Sequence, residues 1–326
     1  MIDRRGLLRA AIGGVAAATL GPGFGQANAG EPLENLKLFV PAAPGGGWDQ
    51  TARAIESTLK QTALVRRVSV TNNSGDRVAG LTGFANEMVF RGDCLLVAGL
   101  VMIIATAGVK PPIGLGDVTP LARLTAEFQV VVVSNDSKIR TPADLAVALT
   151  SDVGSLVWAG GPFGGTDHIL AGLIGRAVGV DVSQIHYLAA APGEPIQTAL
   201  FDGRAMIAIG GWRDFTKDIA AGALRPLGIS TRARRPGIDV LTLKEQGLDV
   251  ELVNWRGVFA PPKLHDSSRQ SLTAVIESMA KSLAWHDELT RRGWQDFYLA
   301  GDPFARFVAN ETARIGDILR RLGVIG

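Results

Sequence analysis

Val40-Pro41-Ala42-Ala43-Pro44-Gly45-Gly46-Gly47-Trp48-Asp49 joins a short β-like run, Leu36 to Val40, to a helical pattern from Thr51 to Leu64. Ala52, Ile55, Leu59 and Ala63 fall on one face of that helix at helical spacing. Pro41 ends the strand, and three successive glycines leave the backbone amides open to anything lying against the turn. The helix that follows adds partial positive charge at its first turn. A carboxylate suits that place. The pattern returns at Gly160-Gly161-Pro162-Phe163-Gly164-Gly165-Thr166-Asp167-His168, between a strand read at Ser155 to Ala159 and a helix read at Asp167 to Val178. Two such turns would grip the two separated ends of one anionic ligand. Taken singly they read equally well as ordinary tight connections, with Asp49 and Asp167 as first-turn acids of their own helices.

The same alternation runs along the chain. Val65 to Thr71 and Cys94 to Gly99 read as strands, with a helix from Gly80 to Phe90 between them. Val118 to Ser134 holds two strand-like runs, the second ending in Val130-Val131-Val132-Val133. Thr141-Pro142 reads as an N-cap followed by a proline at the first helical position. Ile185 to Leu188, Ala205 to Ile209 and Leu227 to Ser230 read as strands, with helices at Glu194 to Asp202 and Asp214 to Ala221. Helices at Ser267 to Trp285 and Pro303 to Leu322 follow. This alternation predicts βαβ units and a parallel sheet. Two successive arrays predict an α/β fold of two similar lobes facing a ligand cleft. Residues 30–130 and 255–326 are expected in one lobe and residues 131–254 in the other. Ligands of open α/β sheets sit at the carboxyl ends of strands, near helix N-termini, which is where both glycine turns lie.

Of the 326 residues, 47% are hydrophobic and 20% charged, which is globular composition with material for a core. The formal net charge is +2, and Arg4, Arg5 and Arg9 against Asp3 account for it within residues 1–29. The near-neutral remainder lacks the clustered basic face of a nucleic-acid binder. The single cysteine, Cys94, makes no internal disulfide and reads as a small buried hydrophobe. His168, His186, His265 and His286 show no metal-ligand spacing. Neither glycine turn supplies the lysine of a phosphate-binding loop. Gln50 stands where a dinucleotide fingerprint needs its third glycine, and the next strand ends in Asn72-Asn73 rather than an acid. No G-x-S-x-G elbow occurs. No catalytic residue, metal or cofactor is expected.

Residues 1–29 read as an address rather than as part of the fold. Arg4-Arg5 precede Leu7-Leu8, an apolar stretch runs from Ala10 to Leu20, and Ala27-Asn28-Ala29 forms a cleavage pattern. That stretch is too short for a bilayer, which needs about 20 residues. It resembles a twin-arginine export signal; an ordinary secretory signal is the alternative. Both imply removal near Ala29 and a mature chain in the periplasm.

The candidate ligand contacts follow from the turns. Pro44, Gly45, Gly46 and Gly47 form the first, and Trp48 and Asp49 close it. Asn72 ends the neighbouring strand. Gly164, Gly165, Thr166 and His168 belong to the second turn, and Gly211 follows a further strand. Replacing Asp49 by alanine is expected to change ligand preference more than stability.

At Pro44-Gly45-Gly46-Gly47-Trp48-Asp49 the chain resembles the substrate-binding subunits of tripartite tricarboxylate transporters, the Bug-type family. Asn72-Asn73-Ser74-Gly75 and Gly164-Gly165-Thr166-Asp167-His168 match in order. So does the most specific block, Thr242 to Val250 followed by Asn254-Trp255-Arg256-Gly257-Val258-Phe259-Ala260-Pro261-Pro262. The resemblance implies a periplasmic-binding-protein-like, Venus-flytrap fold. It implies a small organic carboxylate (a di- or tricarboxylate or an aromatic acid) held by both turns, with Asp49 serving its far end. It further implies no cofactor, a monomer, and delivery to a two-component membrane permease. Asp76 and Arg77 depart from the family's glycine-rich continuation, and Trp48 replaces a smaller residue. Asn254-Trp255-Arg256 reads as a structural crossing segment, with Trp255 packed and Arg256 in a buried polar network.

Two other classes stay open at this level. A ligand-sensing partner of a signalling receptor would bind the same ligand and dock elsewhere. An α/β enzyme would use Asp49 and His168 as acid and base.

Overall fold

The computed structural model describes residues 32–109, 111–191 and 194–326. The export-signal reading over residues 1–29, with its cleavage near Ala29, lies outside the described residues. In chain order the elements are β1 (Leu33–Val40), α1 (Gly47–Gln61), β2 (Val65–Asn72), α2 (Arg77–Glu87), β3 (Cys94–Gly99) and α3 (Leu100–Val109). Then come β4 (Thr119–Ser134), α4 (Pro142–Ser151), β5 (Val157–Gly160), α5 (Thr166–Ala177), β6 (His186–Ala189), α6 (Thr198–Phe201), β7 (Ile207–Gly211), α7 (Trp212–Ala220) and β8 (Leu224–Ile229). The last are β9 (Val253–Ala260), α8 (Asp266–Ala280), α9 (Leu283–Arg292), β10 (Gln295–Ala300) and α10 (Gly301–Arg321).

A βαβαβ unit occurs twice. β1 pairs in parallel with β2 on one side and β3 on the other, and β5 pairs likewise with β6 and β7. In each unit the middle strand leads into a glycine turn and a long helix. In each the third strand ends in a glycine, Gly99 or Gly211, and runs directly into a helix. Antiparallel strands join the units. β9 pairs with β3 and with β4 from Thr119 to Phe128. From Gln129 onward β4 pairs instead with β7 and β8. β10 pairs antiparallel with the first half of β4. The sheet is therefore mixed, with the predicted parallel pairing confined to the two repeats. One strand, β4, belongs to both halves of this α/β fold and changes partners between Phe128 and Gln129.

Burial explains the strands. Every residue of β3 is buried, as are Val130 to Val133 of β4. Strands covered on both faces read as continuous apolar runs rather than alternations. β9 is of this kind, with Trp255 wholly buried and edge-on to Phe304 and Phe307 at 5.8 and 5.3 Å between ring centroids. Such pairs add about 0.5–1.5 kcal/mol beyond their buried area.

Several limits differ from the sequence reading for local reasons. The two runs of Val118 to Ser134 form one sixteen-residue strand. The helix expected from Ser267 to Trp285 breaks after Ala280, because the Ser282 hydroxyl accepts the Trp285 amide at 3.2 Å and starts α9 afresh. Thr141 caps α4 as read, accepting the Asp144 amide at 3.1 Å, while Asp144 accepts the Thr141 amide at 2.9 Å. No described helix is long and apolar enough to cross a membrane.

Candidate functional site

The first glycine turn is braced by its own acid. Gly45 has φ +84°, a left-handed conformation that favours glycine. Its amide donates to Asp49 Oδ2 at 2.9 Å. Asn72 Nδ2 donates to Asp49 Oδ1 at 3.0 Å and to the Ala42 carbonyl at 3.2 Å, and Arg53 Nε lies 3.3 Å from Asp49 Oδ1. Burial pushes the Asp49 pKa up, but the Gly45 amide, Asn72 and Arg53 outweigh it and hold the carboxyl below its ordinary value. Trp48 is only 5% exposed and packs into the core, with the Arg77 guanidinium 6.0 Å from its ring. Pro44, Gly45 and Gly46 are exposed.

The second turn repeats this geometry with different chemistry. Gly164 has φ +74°, and its amide donates to His168 Nδ1 at 3.0 Å. An acceptor four residues beyond the left-handed glycine thus closes both turns. His168 is 2% exposed and lies between Phe163 and Tyr187, each 4.3 Å from it between ring centroids. Burial pulls its pKa down to about 4, so the imidazole is neutral and accepts through Nδ1. Asp167 accepts the Gly161 amide at 2.9 Å and lies 3.3 Å from Thr166 Oγ1. Burial raises its pKa to about 6 against both bonds, and Asp214 adds to the rise. The Tyr187 hydroxyl donates to the Gly161 carbonyl at 3.0 Å.

Both helices start on glycine. Gly46 and Gly165 are the N-cap residues of α1 and α5, both extended and neither with a side-chain cap. A helix leaves its first amides unpaired unless something caps them. The first intrahelical bonds are Gln50 to Gly46 and Ile169 to Gly165. The amides of Gly47, Trp48 and Asp49, and of Thr166, Asp167 and His168, have no partner among the described residues.

A cleft of about 480 Å³ opens at the second turn, where β4 changes partners. Glu127, Phe128 and Gln129 form its floor, Thr166 and Asp167 one wall, and Gly211 to Asp214 another. Arg235 and Asn254 complete it. Asp214 accepts the Gly211 amide at 2.9 Å; desolvation raises its pKa against that bond, and Glu127 raises it further. Among the described residues no carboxylate lies within 4 Å of Arg213 or Arg235. Arg256 connects this cleft to the first turn. Its Nη2 bonds Glu127, and Trp294 Nε1 also donates to Glu127 at 3.2 Å. A Cβ on Gly47 would stand 2.7 Å from Arg256 Nη2, so the guanidinium lies directly over the turn.

The structure thus brings Thr166 and Gly211 to the cleft, Gly47 to Arg256, and Asn72 to Asp49. It places Trp48 and His168 in packed surroundings. Asp49 and His168, the acid–base pair of the enzyme reading, each serve the amide of their own turn. Among the described residues no group of three His, Cys, Asp or Glu could hold a metal ion. Glu127, Arg213, Asp214 and Arg235 were not singled out from the sequence, and Asn254 was read only as part of a structural crossing segment. Glu127 alone left a signal, as the only acid between Asp117 and Asp136.

A family model described as the tripartite tricarboxylate transporter family receptor matches residues 110–324. A UPF0065 protein of Agrobacterium vitis is 26% identical over 273 residues, 81% of this chain and 76% of its own. A ligand-free TctC solute-binding protein from Polaromonas shares the fold with a TM-score of 0.78 at 21% identity, over 89% of this chain and 99% of its own. The MatC protein of Rhodopseudomonas palustris, with bound malate, has a TM-score of 0.61 at 22% identity, over 88% and 99%. Another R. palustris protein, with adipate, has 0.65 at 22%, over 90% and 98%. The family match covers the second turn, the cleft floor and both joining strands. The chain therefore belongs to the tripartite tricarboxylate transporter receptor family of solute-binding proteins.

Proposed function

We propose that this receptor captures a small organic dicarboxylate between its two glycine turns and releases it to a two-component membrane permease. The observation that carries this reading is the six unpartnered first-turn amides at two helix starts whose N-caps lack side chains. A hydrogen bond to a charged group contributes about 1.5–3 kcal/mol, so two or three per carboxylate support capture at low solute concentration. Arg213 and Arg235, neither paired with a carboxylate within 4 Å among the described residues, favour the same charge. Glu127 and Asp214 are acceptors, suited to a ligand hydroxyl. Malate and adipate in the two related structures are dicarboxylates of different length, which supports a ligand with two anionic ends.

The remaining parts of the reading are consistent with it. Residues 30–130 with 255–326 form one lobe and 131–254 the other, supported by the partner change of β4 beside that boundary. Pro44, Gly45, Gly46, Gly47 and Asn72 serve one end of the ligand. Gly164, Gly165, Thr166 and Gly211 serve the other, while Trp48, Asp49 and His168 shape the turns behind them. Binding proceeds without chemistry or cofactor, in a monomer resident in the periplasm.

The test is a thermal-shift series on purified protein, refolded to strip any carried-over ligand, against mono-, di-, tri- and aromatic carboxylates. A ligand that binds only the folded state raises the melting temperature with its concentration. A dicarboxylate is expected to give the largest shift. No shift with any acid would sink the reading.

A further inference from the structure

A second cavity lies on the far side of β9 from the cleft. Successive residues of a strand face opposite ways; Val253 lines this cavity and Asn254 lines the cleft. Its volume is about 830 Å³, against about 480 Å³ for the cleft. Arg123 of β4, Gln295 and Phe297 of β10, Phe307 and Arg314 of α10, and Arg232 beyond β8 form its walls.

Arg123 is held in an unusual way. Its guanidinium carbon lies 3.5 Å from the ring centroid of Phe297 and 4.2 Å from that of Phe307. Its Nε donates to the Phe297 carbonyl at 2.8 Å. The two rings and that bond fix the plane of the guanidinium. Neither Nη has a hydrogen-bond partner among the described residues, and no carboxylate lies within 4 Å. Burial pushes the Arg123 pKa down to about 10, opposed by the charges of Glu311 and Glu251, which line the same cavity.

Arg314, in the same wall, shows what a satisfied arginine looks like here. Its Nε and Nη2 bond Glu311 at 2.8 and 3.1 Å, and Nη1 donates to the Glu251 carbonyl at 2.8 Å. Arg232 is exposed and has no partner among the described residues. Gln295 Oε1 is buried and likewise unpartnered. Two arginines with free N–H groups therefore face one cavity. Glu251 and Glu311 also line it, but the Glu311 carboxylate is engaged by Arg314, and among the described residues neither acid lies within 4 Å of Arg123. A partly desolvated guanidinium without a direct partner is costly. An anion seated against Arg123 and Arg232 would supply the direct partner that neither glutamate provides. Phe297, Leu299 and Phe307 beside it offer apolar surface to the rest of such a ligand.

We propose that this cavity is a second binding site, separate from the cleft, for an anion with a flat apolar body, of which an aryl carboxylate is the simplest form. Its carboxylate meets the Nη groups of Arg123 and the side chain of Arg232, and its ring lies along Phe297 and Phe307. The site backs onto β4 and β9, the two strands that join the repeats. It does not depend on what the cleft binds.

Calorimetric titration of the purified protein with 2-naphthoate, and separately with inorganic phosphate, tests the assignment. Saturable binding of one naphthoate is expected, with phosphate at least about tenfold weaker because it fills none of the apolar surface. Arg123→Met keeps an apolar stem between the rings and is expected to weaken naphthoate about tenfold or more. Arg232→Gln, at an exposed position that carries no folding risk, is expected to weaken it about threefold. Gly46→Val, which obstructs the first turn, is expected to leave naphthoate binding within about twofold. Absence of binding at millimolar naphthoate overturns the proposal, as does binding that survives both arginine replacements. Loss of naphthoate in Gly46→Val also overturns it, because the ligand would then be in the cleft. A cleft that binds no dicarboxylate would leave these results standing.

Discussion

His168 Nδ1 stands to the Gly164 amide as Asp49 Oδ2 stands to the Gly45 amide, at 3.0 and 2.9 Å. In both turns the donor is a left-handed glycine and the acceptor sits four residues on, in the first turn of the helix. A neutral ring does in one repeat what a carboxylate does in the other. The difference is electrical: one turn carries a brace with a formal charge and the other does not.

Acceptor strength at position 168 should therefore govern the second turn. His168→Leu fills similar space but leaves the buried Gly164 amide without an acceptor, a loss of about 1–3 kcal/mol. His168→Asn offers an oxygen as Asp49 does and is expected to lose clearly less. Denaturant unfolding of both variants checks this; equal losses would mean that ring stacking on Phe163 and Tyr187 is what matters.

Two neighbours in that turn titrate in opposite senses. The His168 pKa is lowered from 6.5 to about 4, so the unfolded chain binds more protons between those values. The stability it contributes is present above pH 6.5 and lost as pH falls through about 4. The Asp167 pKa is raised from 3.8 to about 6, so its contribution is present below pH 3.8 and lost as pH rises through about 6. The stability difference between parent and His168→Asn should rise with pH across that range. The difference between parent and Asp167→Asn should fall. Unfolding free energies measured from pH 4 to 7 resolve the two slopes, and slopes of the same sign would contradict the assignment.

The glycines of the first turn differ in what surrounds them. A Cβ on Gly46 would meet only the Ala43 carbonyl, at 3.5 Å, whereas one on Gly47 would strike the Arg256 guanidinium. Gly46→Val should leave the protein folded and weaken ligand binding by blocking approach to the amides. Gly47→Ala should cost about 1–3 kcal/mol by overpacking and displace Arg256 from Glu127. On Gly165 a Cβ would stand 2.8 Å from the Pro162 carbonyl, so a side chain there shifts the turn itself. Melting curves with and without ligand separate these cases.

Asp49→Ala now carries a larger expected effect on stability than the sequence suggests. Three donors converge on this carboxylate, from Gly45 in the turn, Asn72 at the end of β2 and Arg53 in α1. Its loss should cost about 1.5–3 kcal/mol and loosen Asn72 as well. A variant as stable as the parent, with altered ligand preference, would return Asp49 to the role of a ligand contact.

Local chemistry made much of this fold legible. The Thr141–Pro142 helix start and the limits of Cys94–Gly99 stand where the sequence puts them, since capping and full burial leave local marks. Trp48 was readable too. Carried back one turn, the apolar face of Ala52, Ile55 and Leu59 includes it, so its packing into the core follows from helical period alone. The cleft was not readable in this way. Glu127 comes from within β4, Arg213 and Asp214 from the start of α7, Arg235 from a connection and Asn254 from the start of β9, far apart in sequence; the antiparallel pairing of β4 with β9 sets Glu127 opposite Asn254. Nothing in the local pattern of Val118 to Ser134 says that one strand serves two sheets.

That shared strand has a mechanical consequence. A joint made of loose linker opens and closes at the expense of chain entropy. Here the joint lies within a hydrogen-bonded strand, whose ladder to β9 stops at Phe128 and whose ladder to β7 begins at Gln129. Any rotation of one repeat against the other would wind or unwind β4 over a few peptide units. A joint of that kind would act as a torsion spring with a preferred setting, and capture of a solute in the proposed manner would have to supply the torque that moves it off that setting.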